Sequence, residues 1–262
     1  MIFKTSADGP TTDSRAEQDT ILVVEDLTKR FGGLIAVDAL SFTVREGEIL
    51  GFIGPNGAGK STTFNCITGF HKPTSGRIEF QGTDITGWPK DRVVKCGISR
   101  TFQNFRPLSD RSVVENVELS LVKDNPFTFK GLVGKTHNEA ETICERVGLG
   151  ERLNQLPDEL PHAGLLRLEL ARALATDPTL LLVDEPFAGL ARTEVMEISD
   201  LLRDFNDEGH TIVVVDHNMR GLLPLVDRVI VIQFGDKIAE GVPQVIKEDP
   251  VVQKAYLGGD EL

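Results

Sequence analysis

Hydrophobic positions fall into short runs separated by turn residues, and the period of those runs changes along the chain. Ile21-Leu22-Val23-Val24 opens the first run, and segments 21–31, 34–45 and 76–81 read as short strands with turns between them. Glu48-Ile49-Leu50-Gly51-Phe52-Ile53 is apolar at nearly every position, the pattern of a strand buried on both faces, and Ser61 to Phe70 behind it predicts a helix. From about 103 to 160 the period becomes helical. Val113, Val117 and Leu121, then Ala140, Ile143 and Val147, recur at helical spacing, and Gly148 ends the second of these helices. A helix over about 164–176, a strand over 179–184, an amphipathic helix carrying Val195, Ile198, Leu201, Leu202 and Phe205, and a strand from Thr211 to Asp216 follow. This alternation predicts the α/β class: a mixed sheet flanked by helices, with a helical insertion over about 103–165. Residues 1–20 carry no hydrophobic period and read as a flexible extension, which leaves 21–262 as a single domain.

Between the apolar strand at 48–53 and the helix at 61–70 lies Gly54-Pro55-Asn56-Gly57-Ala58-Gly59-Lys60-Ser61, which fits G-x-x-x-x-G-K-[ST]. In this pattern backbone N–H groups wrap the phosphates of a nucleoside triphosphate, and glycines let the chain approach an anion without a Cβ in the way. The phosphate-binding stretch runs from Asn56 through Gly57, Ala58, Gly59, Lys60 and Ser61 to Thr62. Lys60 would reach the β- and γ-phosphates and the Ser61 hydroxyl would sit on Mg²⁺. A plain glycine turn is the rival reading, and the strand before and helix behind disfavour it. The second element is Leu180-Leu181-Leu182-Val183-Asp184-Glu185-Pro186, a wholly apolar strand that ends in two carboxylates. Asp184 would hold Mg²⁺ through water, and Glu185 stands where a base could polarise an attacking water. A strand capped by solvated acids is the alternative.

Charge and cysteine content narrow the function class. Forty acidic against 28 basic residues give a formal net charge of -12, a field that repels nucleic acid and anionic lipid, so no nucleic-acid partner is expected. Cys66, Cys96 and Cys144 are far apart with no C-x-x-C pairing, and read as core hydrophobes rather than metal ligands. No apolar run approaches the length of a membrane span, and the N-terminal residues lack the apolar region of a secretory signal, so a cytoplasmic location is expected.

With both nucleotide elements in order, the chain resembles the ATP-binding subunit of an ABC transporter over about residues 21–258. The resemblance implies a P-loop NTPase of the ABC type: a RecA-like core with a small antiparallel β subdomain and an inserted α-helical subdomain. Thr101-Phe102-Gln103 is similar to the family's Q-loop, which implies that Gln103 contacts Mg²⁺ or the lytic water. Asp216-His217 is similar to its H-loop, which implies that His217 contacts the γ-phosphate. Read alone, Gln103 is an exposed polar residue and His217 a structural histidine at a strand end. Phe31 holds the place of the family's adenine-stacking aromatic, with Val37 closing the same pocket; packing of Phe31 into the β subdomain is the rival. Phe31-Gly32-Gly33-Leu34, Phe64 to Phe70, Gly97 to Gln103 and Ala255-Tyr256-Leu257-Gly258 are similar to the G-type subunit of branched-chain amino-acid importers. That branch implies ATP hydrolysis driving uptake of a small solute. Its implied partners are a second ABC ATPase, transmembrane permease subunits and, indirectly, a periplasmic solute-binding protein. The location it implies is peripheral, on the inner face of the membrane. Two alternatives stay open: the ATPase of lipopolysaccharide export, a near cousin, and a soluble ABC ATPase without a channel.

The family's signature, Leu-Ser-x-Gly-Gln or close to it, falls on Leu160-Pro161-His162-Ala163-Gly164. In the family this segment completes the partner subunit's ATP site. Pro161 offers neither hydroxyl nor N–H, although its fixed φ suits a first helical turn, and Ala163 adds a methyl where close backbone approach is wanted. His162, Ala163 and Gly164 keep N–H donors that could still cap a phosphate. The segment after Gln103, with Phe105, Arg106 and Leu108, reads as a groove for a membrane subunit's helix, or as packing inside the insertion.

Overall fold

The computed structural model describes residues 20–101, 107–121 and 129–256, with side chains left undescribed at 129–135 and 256. Strands β1 (Thr20–Phe31) and β2 (Leu34–Arg45) are followed by β3 (Ile49–Ile53), helix α1 (Lys60–Ile67), β4 (Ser75–Phe80), β5 (Thr83–Asp84), α2 (Lys90–Lys95) and β6 (Ile98–Arg100). Helices α3 (Val113–Leu121), α4 (Phe129–Arg146) and α5 (His162–Leu174) lead into β7 (Leu180–Asp184), α6 (Arg192–Asp207), β8 (Thr211–Val215) and α7 (Met219–Leu222). Strands β9 (Arg228–Gln233) and β10 (Asp236–Gly241), with helices α8 (Pro243–Glu248) and α9 (Pro250–Tyr256), close the described chain.

Two sheets form. One is antiparallel in the order β2-β1-β4-β5; the other runs β10-β9-β3-β8-β7-β6, parallel throughout except for β10. The parity of the parallel strands divides the interior, because successive side chains point to opposite faces. Ile49, Ile53, Leu181, Val183, Ile212, Val214, Val229 and Val231 pack with Val113 and Val117 of α3, Ile143 of α4, Leu166 and Leu170 of α5, and Ile198 and Leu202 of α6. Leu50, Phe52, Leu180, Leu182, Val213, Val215, Ile230 and Ile232 pack instead with the antiparallel sheet and with Phe64 of α1. Phe52 bridges the layers on that side, its ring 5.3 Å from Phe42 and 5.9 Å from Phe64. Each such side chain contributes about 1.5–3 kcal/mol on burial, so the two-faced apolar strands fix the core.

The strands expected over 21–31, 34–45 and 48–53 and the helices carrying Val113 and Val117, and Ala140 and Ile143, are all present, with Val147 in the turn just after Arg146. Helix α1 is shorter than its hydrophobic pattern suggests, ending at Ile67 rather than Phe70. Gly69 adopts φ +75°, and a Cβ there would lie 2.4 Å from the Trp88 carbonyl oxygen, so the chain must turn away. Among the described residues, no helix is long and apolar enough to cross a membrane. Thr20, expected to end the N-terminal extension (1–20), already begins β1; residues 1–19, Gln103, Phe105, Arg106 and Leu257-Gly258 lie outside the described residues.

Arg228, at the start of β9, fastens the two sheets together. Its guanidinium donates to Glu48 Oε2 (3.1 Å) and Oε1 (2.5 Å), to the Thr43 carbonyl (2.8 Å) and to Glu240 on β10. Arg228 and Glu48 are both buried, so breaking the pair strands a desolvated charge. Arg228→Met is expected to cost about 3–5 kcal/mol, read as a lowered urea midpoint. Pairing it with Glu48→Gln should recover part of that loss, whereas a single-mutant cost below about 1 kcal/mol would show that the pair does not hold the sheets.

Candidate functional site

The carboxyl ends of β3, β7 and β8 meet at one edge of the parallel sheet. Val215 of β8 pairs with Phe52 of β3 on one side and with Asp184 of β7 on the other. The loop after β3 therefore lies beside the acids that close β7 and β8.

The loop between Ile53 and Lys60 is held in place by close backbone contacts. A Cβ on Gly54 would lie 2.3 Å from the Ile232 carbonyl oxygen, and one on Gly59 (φ +104°) 2.4 Å from that of Ala36. The Gly235 N–H, in the turn between β9 and β10, donates to the Ala58 carbonyl at 2.9 Å. Asn56, Gly57 and Ser61 are exposed, Thr62 is half-buried and Ala58 is buried. Lys60 is buried, and its ammonium donates to the carbonyl oxygens of Gly54 (2.5 Å) and Pro55 (3.2 Å). The cation is thus folded into the loop that the sequence assigns to phosphate. Gly59 caps α1 without a side-chain hydrogen bond, and the first turn carries no acid, which leaves the helix's positive end uncompensated.

Opposite this loop, Asp184 is buried at the end of β7. Its Oδ2 accepts from Arg100 Nη2 at 2.6 Å, and its backbone N–H donates to Thr101 Oγ1 at 3.2 Å. Asp184 Oδ1 is buried and has no partner among the described residues. Among the described residues no cluster of three or more His, Cys, Asp or Glu could hold a metal. Mg²⁺ needs none, because it keeps waters and takes one or two protein oxygens plus substrate phosphates. The unmatched Asp184 oxygen and the exposed Ser61 hydroxyl fit that requirement.

Glu185 turns the chain out of β7 in a left-handed conformation, φ +50°, which non-glycine residues rarely adopt and which clusters at functional sites. Its N–H donates to the Val215 carbonyl at 2.7 Å, tying the turn to β8. Burial pushes its carboxyl above the usual glutamate range, opposed by His217 and reinforced by the Asp184 and Asp216 charges. His217 Nδ1 lies 3.9 Å from Glu185 Oε2 and 3.8 Å from Asp216 Oδ1, with no hydrogen-bond partner among the described residues. Asp216 is fully buried and accepts the N–H groups of Asn218 (2.7 Å) and Phe187 (3.0 Å), while burial raises its carboxyl as well. It braces the turns on which Glu185 and His217 stand.

Phe31 is 43% exposed at the end of β1, edge-on to His71 at 5.2 Å and beneath Lys29 Nζ at 4.9 Å. Packing into the β subdomain therefore does not consume its ring. Val37 lies beneath the same region. It is fully buried, and a Cβ on Gly59 would lie 3.4 Å from its Cγ2, so it supports the loop from beneath. In the signature-like segment, Leu160 is buried and Pro161 (φ -65°, ψ 165°) stands at the N-cap of α5, just before the first turn. His162 Nε2 donates to the Ala188 carbonyl at 3.0 Å, joining this segment to the turn after Glu185. Gly164 is buried, and Ala163 is half-buried. The N–H groups of a helix's first turn have no intrahelical acceptor, and no acid lies in the first turn of α5. Arg100 is given no site role by the sequence alone; it ends the short strand β6, Ile98-Ser99-Arg100, beside the acids of β7.

These features agree with comparisons to known proteins. A model of the family described as "ABC transporter" matches residues 37–188, and one described as "Branched-chain amino acid ATP-binding cassette transporter" matches residues 237–261. The chain is 38% identical over 249 residues to the high-affinity branched-chain amino acid transport ATP-binding protein LivG of Salmonella typhimurium, covering 91% of this chain and 98% of that protein. It is 37% identical over 249 residues to BraF of Pseudomonas aeruginosa, with the same coverage. The crystal structure of the ADP conformation of MJ1267, an ATP-binding cassette of an ABC transporter, superposes with a TM-score of 0.83 at 32% identity, covering 92% of this chain and 99% of that one. A dimeric post-hydrolysis cassette, MJ0796 bound to ADP and Pi, gives 0.76 at 27% identity over 85% of this chain and 99% of that one. By sequence, fold and the grouping of its nucleotide loops, the chain belongs to the ABC transporter family, as an ATP-hydrolysing cassette.

Proposed function

We propose that this cassette powers uptake of branched-chain amino acids, or of a related small polar or aromatic solute, through a membrane importer. The observation that carries this reading is the match of residues 237–261 to the branched-chain cassette model, added to likeness to LivG and BraF over nearly their whole length. The proposed assembly joins a second ABC ATPase and transmembrane permease subunits at the inner face of the membrane, with a periplasmic solute-binding protein acting indirectly. Leu108, just beyond the Q-loop segment, is exposed, which leaves it available to a docking helix. Copurification of the tagged protein from membranes should bring down permease subunits and a second ATPase, and its deletion should abolish solute uptake. Recovery of the chain without any membrane protein would overturn the importer reading.

In the proposed mechanism, Asn56 to Thr62 wrap the triphosphate of ATP, Lys60 places its charge at the β- and γ-phosphates, and the Phe31 ring receives the adenine. Ser61, Asp184 and Gln103 would hold Mg²⁺, which when bound neutralises charge on the β- and γ-oxygens. Glu185 accepts the proton of the water that attacks the γ-phosphate in line, and His217 contacts that phosphate.

Glu185→Gln should slow hydrolysis by about 10²–10⁴-fold, the usual contribution of a positioned base, while ATP affinity stays within about threefold. An ATP-bound dimer should then accumulate on size exclusion. Because burial raises the Glu185 carboxyl, its anionic form is lost as pH falls through that raised value, earlier than for an exposed glutamate. Wild-type turnover should therefore decline on the acid side above the ordinary glutamate range. Hydrolysis by the variant at the wild-type rate excludes Glu185 as base.

The signature-like segment should make the two ATP sites of a heterodimer unequal, since it serves the partner's nucleotide. Alone, the chain should be a weak ATPase, because both sites of a homodimer would rely on Leu160, Pro161, His162, Ala163 and Gly164. Pro161→Ser with Ala163→Gly should raise that rate about tenfold or more, as expected for restored charge-facing donors. Brisk turnover of the unmodified chain, or no gain in the double variant, would mark the departure as neutral.

A further inference from the structure

We propose that Arg100 is a positioning residue for the Mg²⁺ site, setting Asp184 so that one carboxylate oxygen is left for the metal's shell. The proposal rests on the nucleotide-binding reading above and adds to it a residue that touches neither phosphate nor metal. Its basis is the placement of one guanidinium among three elements. Arg100 ends β6, and its Nη2 donates to Asp184 Oδ2 on β7 at 2.6 Å. Its Nη1 donates to Asn65 Oδ1 at 2.7 Å, on the helix that begins with Lys60 and Ser61, with Thr68 Oγ1 a longer contact at 3.4 Å. The guanidinium lies 5.6 Å from the centroid of the buried Phe64 ring, and the Arg100 and Asp184 side chains are only 6% and 5% exposed.

A buried carboxylate with no charged partner would be left desolvated and uncompensated, free to turn away from the site. Charge-assisted hydrogen bonds are short and directional, and the planar guanidinium fork holds the carboxylate in one orientation. The result is an asymmetric carboxylate. Oδ2 is committed to Arg100, while Oδ1 is buried without a partner among the described residues. Asn65 holds the other arm of the fork on α1, so the distance between the metal-side oxygen of β7 and the helix carrying Ser61 is set by one rigid planar group. The opposing effect is electrostatic, since a cation beside Asp184 repels Mg²⁺. Orientation outweighs it here, because partners that orient a ligand typically contribute about 10–100-fold to metal affinity.

The test is equilibrium binding of a fluorescent ATP analogue to the full chain, first in EDTA and then across a Mg²⁺ titration. Arg100→Gln should leave affinity in EDTA within about twofold, since Lys60 and the loop amides hold the phosphates, and should raise the half-saturating Mg²⁺ concentration about tenfold or more. Arg100→Lys, which keeps the charge and loses the fork, should fall between that variant and wild type. Asn65→Ala keeps both buried charges and guards against a folding failure; it should raise half-saturation about threefold, in line with loss of one hydrogen bond. Unchanged or tighter Mg²⁺ dependence in Arg100→Gln, or in Asn65→Ala if Arg100→Gln does not fold by circular dichroism, would overturn the positioning role. A wild-type chain whose ATP binding ignores Mg²⁺ would overturn the underlying metal reading as well, and so tells the two failures apart.

Discussion

The parallel pairing of β8 between β3 and β7 is the constraint on which the remainder of this molecule depends. Val215 sits level with both Phe52 and Asp184, so the loop after β3 and the acids after β7 and β8 must emerge at the same edge. Slipping β8 by one residue would turn its whole apolar set to the wrong layers. That cannot happen cheaply, because every residue of β3, β7 and β8 is buried and the two faces feed different clusters. The chemistry is then a matter of what each strand carries one residue past its end.

Each buried charge at that edge is handled in a different way. Asp184 has a guanidinium, Asp216 has two backbone N–H groups, and Lys60 has loop carbonyls. Glu185 is the one whose carboxyl is raised with His217 as its largest opposing influence, held on a left-handed turn. Backbone strain and an elevated carboxyl coincide on Glu185, the combination associated with a working acid–base group.

Much of this was legible in the chain. Gly54 to Ser61 and Leu180 to Glu185 announce themselves because local pattern and flanking elements agree. Other features depend on contacts that no window of sequence contains. Arg100 reads as an oddity in a short strand until Asp184, 84 residues away, is placed beside it. The packing of Val37 under the phosphate loop follows from strand pairing and the approach of Gly59, which no local pattern contains. The helix expected from about 164 begins at His162, with Pro161 as its N-cap in an extended ψ. Strand β9, as apolar as β7, passed unremarked because no motif residue marks its end, and β10 depends on pairing with it.

The hydrogen bond from Gly47 to Thr211 spans 164 residues, and that separation has a consequence for how the protein is made. Strand β3 leaves the ribosome well before both its partners, β8 and β9, which are encoded far behind it. At usual elongation speeds the nascent strand waits on the order of ten seconds without its neighbours. During that interval an apolar segment with unpaired edges is open to mispairing, and closing so long a loop makes the final step slow. The phosphate loop, hung from the end of β3, is thus synthesised well before β8 and β9 and is among the last parts to acquire its shape.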